Sequence, residues 1–154
     1  MQDRDIKLGD VEFEDIPENL TNNIVYALGE GKKILETAVH GEGFAPFTAI
    51  VAGDQVLMEA YVADDADDAF NAAVEKVKST EGAVSYAFCY DGFVETEAGE
   101  RDVVICEGAL PGEETGYAIA LPYNTSGDPD KGELAFNFDK ELIFLGEAPN
   151  FFTE

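Results

Sequence analysis

The run AVSYAFCYDGFVE, from Ala83 to Glu95, alternates large and small side chains, with Val84, Tyr86, Phe88 and Tyr90 at every second position. A period of two puts these four on one face of an extended strand, and Ser85, Ala87 and Cys89 on the other. A second strand-like run, Arg101 to Glu107, follows the turn-forming segment Glu97-Ala98-Gly99-Glu100, so the two runs are expected to pair antiparallel. Inside the first run Asp91-Gly92 reads as a bulge, with the alternative that it is itself the hairpin turn.

Further strands are expected at Tyr117 to Tyr123, Glu133 to Phe138 and Glu141 to Leu145, separated by Pro111-Gly112 and by the polar loop Asn124 to Gly132. Upstream, Thr48 to Val51 and Val56 to Val62 flank Gly53-Asp54, a hairpin signature. Asp64-Asp65-Ala66-Asp67-Asp68 then precedes Ala69, Phe70, Ala73, Val74 and Val77 at helical spacing. Acids in a first turn suit the positive end of a helix, and one of them serves as its N-cap. Pro17 through Val39 is also helical, with Leu20, Ile24, Leu28, Leu35 and Val39 close to one face. Gly29-Glu30-Gly31 interrupts it: either the helix breaks there or its backbone approaches a neighbour closely. His40-Gly41 is a helix stop signal. Residues 1–15 read as a loose arm or short edge strand. The pattern predicts an α+β fold in a single domain spanning residues 1–154, with two helices packed on one face of a single antiparallel sheet.

The words His40 to Phe47 (HGEGFAPF), Tyr86 to Asp91, Arg101 to Ile105 and Leu121-Pro122-Tyr123, with a hairpin and an acid-capped helix after the first, resemble a group of small bacterial proteins of unknown function. The resemblance covers about residues 38–124, with Gly43 an extra glycine in the first word. It implies a bacterial, cytosolic origin and carries no activity with it.

Among 154 residues, 33 Asp and Glu stand against 9 Lys and Arg, a formal net charge of −24. Nucleic acid and anionic membrane surfaces need clustered basic side chains, so both are disfavoured as partners. No run approaches the roughly 20 apolar residues of a membrane span, and Met1 to Asp15 lacks the pattern of a signal peptide. The charge suits either a solubilising surface or one that receives a basic protein. Cys89 and Cys106 sit in strand-like runs, where free buried thiols of a cytoplasmic protein are expected rather than a bridge.

His40 is the single histidine, so any Ser/His/Asp or Cys/His arrangement must use it as the base. No cofactor motif and no Cys/His metal spacing is present. Asp128 to Glu133 (DPDKGE) offers loop oxygens, but Pro129 and the ligand order favour a turn over a calcium site. The polar tips of His40, Glu42, Tyr90, Asp91 and Tyr123 lie at turns and strand ends, where they are expected to converge if a pocket exists. The competing expectation for the tyrosines is core packing with satisfied hydroxyls. The leading expectation is a non-enzymatic accessory protein of immunity or inhibitor type, homo-oligomeric, engaging a basic protein through its acidic surface. A small hydrolase or metal-dependent enzyme working from His40 and Glu42 is the alternative, and a small-molecule binder with a Tyr-lined pocket the third.

Overall fold

A computed structural model describes residues 16–41, 44–96, 99–140 and 142–153. The chain runs α1 (Glu18–Thr37), β1 (Phe47–Ala52), β2 (Gln55–Ala60), α2 (Ala66–Ser79), β3 (Ala83–Thr96), β4 (Gly99–Ala109), β5 (Thr115–Ser126), β6 (Ala135–Phe138) and β7 (Ile143–Pro149). The strands form one antiparallel sheet in the order β2-β1-β3-β4-β5, with β6 and β7 both pairing β5. Tyr123 to Ser126 of β5 meets β6, and Thr115 to Ala120 meets β7, so the two share one edge end to end. This is the expected α+β fold on a single sheet. The loose arm, the residue Glu42 and the turn residues Glu97 and Ala98 lie outside the described residues.

The placement of the helices corrects the expectation that both share one face. Leu20, Ile24, Ala27, Leu28 and Leu35 of α1 pack with Ala49, Ala87, Cys89, Val104 and Cys106, while Ala69, Ala73 and Val77 of α2 pack with Ile50, Tyr86, Phe88, Val103 and Ile105. Both parities of β3 are therefore buried, one under each helix. The small residues lie under α1 and let it approach the backbone closely. A Cβ at Gly108 would meet Tyr86 O at 2.7 Å, with Leu20 and Ile24 both at 3.1 Å. On the opposite face the large aromatics pack with α2, joined by Phe151, whose ring stacks on Tyr86 at 4.5 Å.

The β3–β4 register is unbroken from Tyr86↔Ala109 to Thr96↔Gly99, so Asp91-Gly92 is neither bulge nor turn. Helix α1 also continues through its glycines. Gly31 is buried against Val104 and Cys89, whereas nothing lies within 4 Å of a Cβ at Gly29. One glycine thus marks a close approach and the other does not. Asn23 ties α1 to the sheet, its Nδ2 donating to Ala49 O and Ser85 Oγ, each at 3.1 Å. At α2 the acidic start behaves as expected: Asp65 caps the helix, its carboxylate accepting from Asp67 N–H at 2.8 Å.

Candidate functional site: an acid-lined cavity at the β3–β4–β5 end

On β3, β4 and β5 the residues sharing the α1 face include Asp91, Asp102 and Tyr123, because Asp102 pairs with Tyr123 and Asp91 pairs with Val104 two positions along. Antiparallel register thereby gathers two carboxylates and a phenol near the point where α1 ends. Together with Leu35, Gly41, Thr125, Leu134 and Phe136 they line a cavity of about 160 Å³. Tyr123 is buried, and its hydroxyl donates to Asp91 Oδ1 at 2.7 Å. Its ring packs against Phe136 at 5.7 Å and Phe138 at 5.6 Å between centroids. The apolar wall thus holds the phenol where it reaches the carboxylate.

Burial raises the Asp91 carboxyl above its ordinary range; the Tyr123 hydrogen bond opposes this, the Asp102 charge adds to it, and the Gly92 N–H also opposes it. Burial, then the Asp91 partner, pushes the Tyr123 hydroxyl well above the usual phenol range. Tyr123 is therefore a fixed donor and Asp91 a carboxylate whose charge is incompletely compensated. The ion pairs Lys33–Glu30 at 3.5 Å and Arg101–Asp139 at 3.1 Å lie elsewhere, and among the described residues neither Asp91 nor Asp102 has a basic partner. A cavity with two acids and aromatic walls suits a cation, which gains from the carboxylates and from the ring faces together.

His40 stands beside this cavity rather than in it. Its ring is exposed and held by the loop after β5: Nδ1 lies 2.9 Å from Pro129 O, which can only accept, so Nδ1 carries the hydrogen. The ring also packs on Gly132, whose Cβ, if present, would sit 3.0 Å from it. That loop is the expected turn, with Asp128 accepting from Asp130 N–H at 3.0 Å and Gly132 in the left-handed conformation. Gly41, next to His40, does line the cavity.

Tyr90 is not brought to this site. It points to the α2 face, where its hydroxyl donates to Glu107 Oε2 at 2.6 Å and both side chains are buried. The core expectation therefore holds for Tyr90 and equally for Tyr123, which is buried with its hydroxyl bonded to Asp91; of the five residues, Asp91 and Tyr123 meet at the cavity. Sequence reasoning missed Asp102 and Phe136. Counting two residues back from Val104 along β4 finds Asp102 on the cavity face, whereas Phe136 needed the β5–β6 pairing. Cys89 and Cys106 face each other across β3 and β4, both buried and both free. Among the described residues no three His, Cys, Asp or Glu side chains gather as a metal site, and no helix is long and apolar enough to cross a membrane. No family model, no curated protein and no solved structure matches the chain.

Proposed function

We propose that this protein is a non-enzymatic binding protein that captures a basic partner protein, and that the Asp91–Asp102–Tyr123 cavity seats a lysine or arginine side chain of that partner. The observation that carries the reading is the half-buried Asp91 carboxylate: it has the Tyr123 hydroxyl as donor and, among the described residues, no cation. A partner's ammonium or guanidinium would supply the missing charge, with Phe136 and Tyr123 flanking its apolar stem. The net charge of −24 draws such a partner in from a distance. His40 favours binding over hydrolysis, because its exposed ring stands beside the cavity rather than among the residues that line it.

A titration with an arginine-rich peptide, followed by amide chemical shifts, tests the site. Shifts are expected to centre on Asp91, Asp102, Tyr123 and Phe136, and to vanish in the Asp91→Asn, Asp102→Asn double variant. Shifts spread evenly over the acidic surface, or unchanged by the double variant, would leave the charge as a solubilising feature alone. The same cavity also suits a small organic cation, a reading favoured by its volume of about 160 Å³. Arginine methyl ester binding as tightly as the peptide would select it.

A further inference from the structure

Strand β2 ends the sheet, and among the described residues no strand pairs with its outer edge. Every residue from Gln55 to Ala60 is exposed, with Val56 at 44%, Leu57 at 38% and Met58 at 42%. Edge strands are usually blunted by charge, proline or a bulge, because an open ladder invites another strand. This one has none of these at its centre: in a chain with 33 acids, Glu59 is its single charged residue. The α1 face beside it is apolar as well. Tyr26 donates to Met58 Sδ at 3.7 Å, and Ile34, Phe44, Phe47 and Met58 border a cleft of about 360 Å³.

The hairpin fixes which way the backbone groups of β2 point. Ala52↔Gln55 closes the two-residue turn, so Gln55, Leu57 and Glu59 bond to β1 while Val56, Met58 and Ala60 present their N–H and C=O groups outward. Tyr61 continues this parity, its N–H donating to Pro46 O at 2.8 Å. We infer that two copies of this chain join through their β2 edges, antiparallel about a two-fold axis at Leu57, to form one continuous sheet. In this register Val56 of each copy bonds to Met58 of the other, Leu57 faces Leu57, and Gln55 faces Glu59.

Three features select this occupant and register. Residues opposed across an antiparallel pair share a face, and here the pairs are apolar with apolar on the α1 side. On the α2 side the Gln55 amide meets the Glu59 carboxylate, so the one charge in the strand finds a donor rather than its own image. A register displaced by one pair, with Leu57 opposed to Glu59, keeps apolar pairs on the α1 side but loses the Gln55–Glu59 match. A two-fold contact is self-complementary by construction, and this strand satisfies that condition residue by residue. A cationic partner finds little reason to choose this edge, since Glu59 is its single charged residue.

Light scattering and a register-specific cross-link on the full chain test the inference. The wild-type chain is expected at twice its 16.6 kDa mass, with the dimer tightening as salt screens the repulsion between two copies. Binding at the acid-lined cavity responds to salt in the opposite sense, so the two sites stand or fall separately. Leu57→Cys is expected to give a disulfide-linked dimer under mild oxidation, because a non-hydrogen-bonded pair brings opposed side chains close. Met58→Cys, displaced from its own image, is expected not to. Cys89 and Cys106 are buried and give little background. Leu57→Lys is expected to yield a monomer with an unchanged circular dichroism spectrum. A monomeric wild type at every salt concentration, a dimer that Leu57→Cys fails to link, or equal linking by both cysteine variants would overturn the inference.

Discussion

A carboxylate is tolerated in a core only where donors replace the water it has lost, and Glu107 meets that condition through Tyr90. Tyr90→Phe keeps the ring packing and removes the hydroxyl, so it is expected to cost about 1–3 kcal/mol in urea denaturation. A loss below a few tenths of a kcal/mol would show that the pair is not needed. Asp91 has the opposite pH behaviour to a salt-bridged acid, because its carboxyl is raised in the fold. The folded state then holds its proton over a window where the unfolded state has lost it, so this group's contribution to stability falls as pH rises from its ordinary value through the raised one. Asp91→Asn is expected to remove that slope and to leave the protein at least as stable at neutral pH. Thermal melts of both proteins across the acidic range check this. Burial, then the neighbouring Cys89, then the Glu107 charge hold the Cys106 thiol well above its usual range, so Ellman titration is expected to find neither cysteine reactive until urea unfolds the chain.

At the scale of elements, the two glycines of α1 ask for opposite substitutions. Gly29 faces open space, so Gly29→Ala is expected to stabilise by up to about 1 kcal/mol through helix propensity alone. Gly31→Leu is expected to destabilise by about 1–3 kcal/mol, since even a Cβ there lies 3.3 Å from Val104. Chemical denaturation of the two variants gives the signs directly, and equal signs would contradict the close approach of α1 to the sheet. The sequence allowed both readings of this helix, because a glycine kept for packing and one merely tolerated look alike in one chain. The same ambiguity misplaced α2. The alternation in β3 showed that Tyr86, Phe88 and Tyr90 share a face, but which side is covered depends on the route of the chain after β2. The strand Ile143–Pro149 and the turn carrying Phe151 complete that side from a distance in sequence that no local pattern spans.

Considered as a whole molecule, the chain keeps its acids out of the core: among the described residues Glu107 alone is a buried acid. The class of fold was legible because strand and helix periods differ, and half of the candidate site was legible because Asp91 and Tyr123 carry polar tips on strand-like runs, both of which pair with β4. His40 and Tyr90 were drawn in by residue type, yet a backbone carbonyl and the parity of β3 decide where they point. The central claim is that long-range negative charge delivers a basic partner to the Asp91–Asp102–Tyr123 cavity. The most direct measurement is the stopped-flow association rate of an arginine-rich peptide across a salt series, for the wild type and the Asp91→Asn, Asp102→Asn variant. Steering predicts an association rate that falls steeply as the Debye length shortens to about 8 Å at physiological ionic strength, and a dissociation rate that changes little with salt but rises at least tenfold in the variant. An association rate indifferent to salt, with equal dissociation from both proteins, would contradict it.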